Sequence, residues 1–247
     1  MLEQRLNYAW RLFATNLCFL TFGLGAWMFV ILLFPAFHFS ACVASLGLGW
    51  AHRRCQYIIH LGFRLFIWML WATGILTYEV QGREKLQQLK GTLIVANHPT
   101  LLDVVFLISM IPQSQCVVKQ AAWSNPFLIG VMWGAGYIQN EDPFQLVEDC
   151  VRHLDEGSNL VIFPEATRTV RGRPMHLKRG AATIISMTKR PVVPISISCS
   201  QPTLSKADKW YLPAPEKFHM RLVVHDNYDP MLDIVDTGQL SLSNRRI

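Results

Sequence analysis

An α/β domain with a mostly parallel or mixed central sheet flanked by helices, carrying an N-terminal helical membrane anchor, is the fold this sequence predicts. Three observations lead there: a long uncharged apolar stretch near the N-terminus, short β-rich runs alternating with helical segments after about Ile75, and capping or turn residues between them. The expected organisation is an anchor with an interfacial helix over 1–74, the α/β domain over 75–226 and a loosely held tail over 227–247. A chain of 247 residues, 51% hydrophobic and 16% charged, can fill one well-buried domain of about 150 to 200 residues with material left over.

The anchor comes first. No Asp, Glu, Lys or Arg occurs between Leu12 and His52, and about 20 apolar residues cross the hydrocarbon core of a bilayer. A cleaved signal peptide would have a shorter apolar core and then a small-residue cleavage site. Here apolar character runs on through FVILLFPAFHF, so a retained anchor is expected. Arg5 and Arg11 precede the stretch, and Arg53 and Arg54 close it. Basic residues at both ends give a single span no preferred orientation, whereas a hairpin that turns near Pro35 would keep both ends, and the domain, on the cytoplasmic side of the inner (cytoplasmic) membrane; both arrangements fit the sequence. The following RRCQYIIHLGFRLFIWML spaces Arg53, Gln56, His60 and Arg64 as one helical stripe. That pattern, with Trp68 and Trp71, predicts a helix in the membrane interface with its basic stripe toward the headgroups; an amphipathic helix packed on the domain is the alternative.

In the domain, TLIVAN, QCVVK, NLVIF, VVPISIS and MRLVVHD read as strands. A helix is expected over 99–111, with Pro99 near its first turn. Another starts at Asp142-Pro143, presents Leu146, Val147, Cys150, Val151 and Leu154 on one face, and stops at Gly157.

Charge and cysteine content exclude several classes. The net charge is +6, but residues 1–90 hold eight Lys or Arg against three Asp or Glu, while 91–247 hold fifteen against fourteen. The surplus lies beside the apolar segment, where anionic lipid headgroups would be. RNA-binding aromatic motifs, zinc-finger spacing and basic DNA-reading helices are missing, so nucleic acid is not an expected partner. The six cysteines are scattered without a CxxC pair, as expected for buried or membrane-facing thiols in a reducing compartment. No HExxH, P-loop, GxGxxG or GxSxG occurs, so no metal, nucleotide fold or covalent enzyme intermediate is expected.

Two stretches carry candidate chemistry, and both follow a strand, where α/β sheets bind ligands. NHPTLLD at 97–103 places His98 five residues before Asp103. Pro99 keeps His98 out of helical conformation, so the ring can fold back toward the carboxylate, which would fix one imidazole nitrogen and leave the other as a general base. FPEATRT at 163–169 opens a run free of acidic residues from Glu165 to Asp208, within which lie Arg168, Arg171, Arg173, Lys178, Arg179, Lys189 and Arg190. Arginines bind phosphate bidentately, which makes this a candidate anion site. The plainer readings are a loop histidine with an unrelated helix-capping acid, and a solvated basic loop.

Together NHPTLLD and FPEATRT resemble the NHxxxxD and FPEGTRS signatures of glycerolipid acyltransferases of the lysophosphatidic acid acyltransferase family. Lys119 with Asn125-Pro126, the GAGYI run, LKRGAA and VVPISI fall in that family's order, so the resemblance covers roughly 75–226. It implies transfer of a fatty acyl group from acyl-CoA or acyl carrier protein to a hydroxyl of a lysophospholipid such as 1-acylglycerol-3-phosphate, with membrane lipids as partners and no cofactor beyond the acyl donor as co-substrate. On this resemblance His98 is the base, Asp103 orients it, and Lys119 or nearby backbone amides meet the oxyanion. Glu165, Thr167 and Arg168 would position the acceptor, and Lys178 and Arg179 would assist with phosphates. Three positions depart from the pattern: Ala166 for glycine, Thr169 for serine, and Asn140 after GYIQ, where many members have an arginine. The last opens the way to another lysolipid, or to a hydroxylated lipid of a specialised pathway. A non-catalytic lipid or acyl-chain binding module on the same fold, and thioester hydrolysis with water as acceptor, are the competing functions.

Overall fold

The computed structural model describes residues 2–125, 128–169, 174–201, 203–205, 208–209 and 211–229. The chain opens with α1 (Leu2–Met28), a π-helical turn (Phe29–Leu33), α2 (Phe34–Val43) and α3 (Leu48–Ala72). It continues through β1 (Leu76–Gln81), a short 3₁₀ turn, β2 (Leu93–Ala96), α4 (Asp103–Met110), β3 (Ser114–Lys119), α5 (Gln120–Trp123) and α6 (Ile129–Ala135). Then come β4 (Ile138–Asn140), α7 (Pro143–Asp155), β5 (Asn159–Ile162), α8 (Arg179–Thr188), β6 (Val192–Cys199) and β7 (Phe218–Val224).

The strands form one mixed sheet in the order β1-β7-β6-β2-β5-β3-β4, parallel throughout except between β6 and β7. The expected fold class therefore holds, and all five strands read from sequence are present. Two further strands, β1 and the three-residue β4, form the two edges of the sheet. Buried strand residues alternate between two cores. Ile94, Ala96 and Val161 face a core built with α3 and α4, while Leu93, Leu160 and Ile162 face one built with α7 and α8. Since β2 to β6 all run the same way, the loops after them gather on one edge, which is where the candidate residues lie.

The N-terminal helices are where expectation and structure part. The chain does not reverse at Pro35. The helical stretch from Leu2 to Val43 is continuous, and the reversal falls at 44–47, where Ser45 and Gly47 have φ of 53° and 77°. Proline removes one helical N–H and crowds the preceding turn, and the π turn immediately before α2 absorbs this: the Phe34 N–H bonds to Phe29 O, one residue further back than in an α-helix. Both Leu2–Val43 and Leu48–Ala72 are long and apolar enough to cross a membrane by length and composition. Only 11% of the most apolar window of the first is buried inside the protein, so Leu17, Leu20, Leu24, Ile31 and Phe39 face outward.

α3 behaves differently. Its expected polar stripe is split: Arg53 and Arg64 are exposed, whereas Gln56 and His60 are buried against the domain. Gln56 Nε2 donates to Ala135 O at 2.8 Å and His60 Nδ1 to Ile108 O at 2.7 Å, so both side chains satisfy carbonyls near the C-termini of α6 and α4. Ala51, Cys55, Ile59, Phe66, Ile67 and Leu70 of the same helix are buried as well. α3 thus docks on the domain, with Leu61, Leu65, Trp68 and Trp71 left on the outer face.

Helix α7 follows the sequence closely, with Asp142 Oδ1 accepting from Phe144 N at 2.8 Å and Gly157 in the left-handed region at its end. The expected loose tail still pairs at Tyr228, whose N–H and C=O bond to Val192 O and N at 2.9 and 2.8 Å; from 230 on it lies outside the described residues.

Candidate active site

β2 ends at Ala96, and Asn97 straps the emerging chain to β6: Nδ2 donates to Ile197 O at 2.7 Å, and Ile197 N donates to Oδ1 at 2.6 Å. His98 then leaves the sheet edge with Pro99 behind it. The expected helix over 99–111 starts later, at Asp103, because 100–102 form a capping turn. Thr100 N–H donates to Asp103 Oδ2 at 2.7 Å, Thr100 Oγ1 donates to Oδ1 at 2.7 Å, and Leu102 N donates to Thr100 Oγ1 at 3.1 Å. Asp103 thus accepts the N–H that opens the turn, as the acid of a capping box does, while the Thr100 hydroxyl oxygen takes the N–H of Leu102; Thr100-x-x-Asp103 before an apolar run has the residue types of that signature.

Inside that turn His98 Nδ1 lies 2.8 Å from Asp103 Oδ2. The carboxylate is 0% exposed and the imidazole 18%, so one partner is dry and the other reaches the surface. An ionised carboxylate only accepts, which makes Nδ1 the donor and leaves the lone pair on Nε2. Burial pushes the Asp103 carboxyl above its ordinary value, and hydrogen bonds from His98 and Thr100 oppose that shift.

The loop after β5 closes on the same histidine. Phe163 stacks on the His98 ring with centroids 4.2 Å apart and planes at 22°. Glu165, 4% exposed, accepts the His98 backbone N–H on Oε1 at 2.9 Å and the Thr169 hydroxyl on the same oxygen at 2.9 Å. Thr169 N–H in turn donates to His98 O at 2.7 Å. Both strand-end motifs are therefore joined through His98, and Thr169 and Asn97, along with Thr100, are contributors that sequence reasoning did not single out for the site. Ala166, where the resemblance expects glycine, has φ of 53°, a left-handed conformation that a β-carbon makes costly.

The cations are distributed more widely. Arg168 Nη1 donates to Leu204 O and Ser205 O, each at 2.8 Å, and Leu204 O also accepts from Leu101 N at 3.0 Å. That guanidinium corner ties the loop after β6 to the turn that holds Asp103. Thr167 is half-buried beside it. Lys178 and Arg179 are exposed where α8 begins, and Lys178 N–H bonds Pro164 O at 2.8 Å, which brings this helix start back to the loop carrying Glu165. Lys119 is exposed at the end of β3 and pairs in register with Asn140 of β4. Next to it Gln139 donates to Glu141 Oε2 at 2.9 Å and also to Gln120. Arg171 and Arg173 lie outside the described residues. Among the described residues no group of three or more His, Cys, Asp or Glu side chains could hold a metal ion. The arrangement can do general base chemistry on a proton brought to His98 Nε2.

Residues 77–198 match a family model described as Acyltransferase. A chloroplastic 1-acyl-sn-glycerol-3-phosphate acyltransferase of Brassica napus is 33% identical over 146 residues, covering 55% of this chain and 42% of that protein. A 1-acyl-sn-glycerol-3-phosphate acyltransferase of Helicobacter pylori (strain J99) is 32% identical over 146 residues, covering 56% of this chain and 60% of that protein. The chain thus spans less than two thirds of the length of either curated relative. Among solved structures, the crystal structure of the 1-acyl-sn-glycerophosphate (LPA) acyltransferase PlsC from Thermotoga maritima superposes with a TM-score of 0.62 over 88% of this chain and 87% of that one. At 19% identity that likeness concerns the fold.

Proposed function

We propose, on the premise that this chain belongs to the acyltransferase family, that it is a membrane-associated O-acyltransferase. Its donor is a fatty acyl thioester, acyl-CoA or acyl carrier protein, and its acceptor is the free hydroxyl of 1-acylglycerol-3-phosphate or a related lysolipid. The observation that carries this reading is the 2.8 Å contact between His98 Nδ1 and the fully buried Asp103, on the sheet edge where the two motifs meet.

In the proposed reaction His98 Nε2 takes the proton of the acceptor hydroxyl as its oxygen attacks the thioester carbonyl. Asp103 holds the Nδ1–H and balances the imidazolium that forms. Base catalysis of this kind contributes a factor of about 10² to 10⁴. The tetrahedral oxyanion needs donors, and Lys119 or backbone amides at the strand ends supply them. Collapse breaks the carbon–sulfur bond, and the thiolate leaves with the proton that His98 had taken. Lys178, Arg179 and Thr167 are assigned to the acceptor, and Arg168 and Glu165 to holding the loops around it. The exposed apolar faces of α1, α2 and α3 keep the protein at the bilayer that contains its lipid substrates.

A variant acceptor is favoured by two placements: Asn140 stands beside Lys119 with Glu141 following, and the Nη1 of Arg168 is engaged by carbonyls. The first leaves out a cation and adds an acid, and the second occupies guanidinium donors without removing their charge; fewer cationic donors for a phosphate monoester suit a lysolipid with a different headgroup. The test is acyl transfer from a labelled thioester into vesicles carrying a panel of lysolipids. His98→Ala should lose turnover by orders of magnitude while its circular dichroism is retained; unchanged turnover removes His98 as the base. A rate independent of acceptor would instead indicate hydrolysis of the thioester.

A further inference from the structure

We propose that Thr100 is a positioning residue for this reaction, acting by keeping Asp103 ionised and so setting the pH below which the His98–Asp103 pair fails. The proposal rests on His98 serving as the base, and it goes beyond that reading by assigning a role to a residue that touches neither substrate.

Asp103 is sealed from water, so its charge depends on protein donors alone. Among the described residues three hydrogen bonds reach its oxygens, and two of them come from Thr100. Oδ2 is shared by His98 Nδ1–H and the Thr100 backbone N–H, while Oδ1 is met by the Thr100 hydroxyl. The hydroxyl can donate there because its own lone pair is occupied by Leu102 N–H at 3.1 Å, which fixes its rotation. Thr100 is itself 2% exposed, so no water replaces it when the hydroxyl is removed.

Without the hydroxyl, Oδ1 is an anionic oxygen with no donor in a dry pocket. The anion is then disfavoured both when His98 is neutral and when it is imidazolium, whereas the neutral acid is not. The pair therefore takes up its inactivating proton at higher pH. A hydrogen bond to a charged group is strong enough to move the acid limb of kcat/KM upward by about one pH unit.

The experiment compares Thr100→Val and Thr100→Ser in the full chain, in vesicles containing the lysolipid acceptor. Thr100→Val should shift the acid limb upward and recover part of its lost rate as pH is raised. Thr100→Ser, which keeps the hydroxyl, should retain the wild-type limb. Where Thr100→Val does not fold by circular dichroism, Thr100→Ala removes the same donor without filling the space. A uniform loss of rate at every pH, with the limb unmoved, assigns Thr100 a purely structural role and overturns the proposal. An independent readout is the ¹⁵N spectrum of His98, which should show the Nδ1–H form in the wild type and a diminished imidazolium signal on acidification of Thr100→Val. That spectrum is measurable even if His98→Ala retains turnover, so failure of the base assignment and failure of the Thr100 role are separately visible.

Discussion

The backbone N–H of His98 donates to Oε1 of Glu165 at 2.9 Å, across the space between the loops that follow β2 and β5. A buried carboxylate thus grips the candidate base by its main chain. Glu165→Ala leaves that N–H and the Thr169 hydroxyl without their acceptor, a loss expected to cost about 1–3 kcal/mol of stability. Turnover should fall at least about tenfold, since a base displaced by a fraction of an ångström loses its reach. Glu165→Gln retains an acceptor oxygen and should lie between wild type and alanine. Urea denaturation and initial rates measure both effects, and an alanine variant of wild-type stability would contradict the role given to Glu165.

Ala166 offers a gain instead of a loss. Its φ of 53° places a β-carbon where a left-handed conformation costs about 1–2 kcal/mol. Part of that is returned as chain entropy when glycine is introduced, so Ala166→Gly should raise stability by about 0.5–1 kcal/mol. The thermal midpoint should rise correspondingly, and a fall would mean that the methyl group makes contacts outweighing the strain.

On α3, residues that look alike in sequence should respond oppositely. Gln56→Leu leaves Ala135 O without its side-chain donor in a buried interface and should destabilise by about 1–3 kcal/mol. Arg64→Gln alters an exposed position and should change stability by less than about 0.5 kcal/mol. Limited proteolysis of the 44–47 turn and of the α3–β1 junction reports the docking. Equal protection of the two variants would refute the division of this helix into a protein-facing and an outer side.

His153 gives the acid dependence of stability a definite sign. Burial lowers its affinity for a proton below that of an ordinary imidazole at 6.5, with Glu156 opposing and Arg152 adding to the effect. As pH falls through about 6.5 the unfolded chain takes up this proton while the folded protein does not, so the folded state loses stability until the lower folded value is passed. His153→Gln removes that contribution. Its urea midpoint should decline less than the wild type's between about pH 7 and about pH 5.5, and identical declines would show that His153 does not titrate differently on folding.

Much of the candidate site could be read from the chain because its parts are local. His98, Pro99 and Asp103 lie close together in the chain, and a proline disfavours helical conformation in the residue before it, which leaves the imidazole able to fold back on the carboxylate. The turn that Thr100 makes with Leu102 and Asp103 is equally local. The contacts of Arg168 could not be read in the same way: its Nη1 meets the carbonyls of Leu204 and Ser205, dozens of residues later in the chain. Nothing in FPEATRT states where the loop after β6 will settle.

The same division runs through the fold. The alternation of strands and helices, the apolar N-terminal region and the placement of both motifs after strands follow from the chain alone, because periodicity, capping residues and charge are properties of neighbours in sequence. Tertiary structure alone decided that the helix from Leu2 runs on past Pro35, and that Gln56 and His60 turn inward while Arg53 and Arg64 do not. It also decided that Glu165 serves the His98 backbone. In each case the outcome depends on which carbonyl, N–H or apolar face a distant element brings within contact, and a buried polar group accepts whichever partner is there.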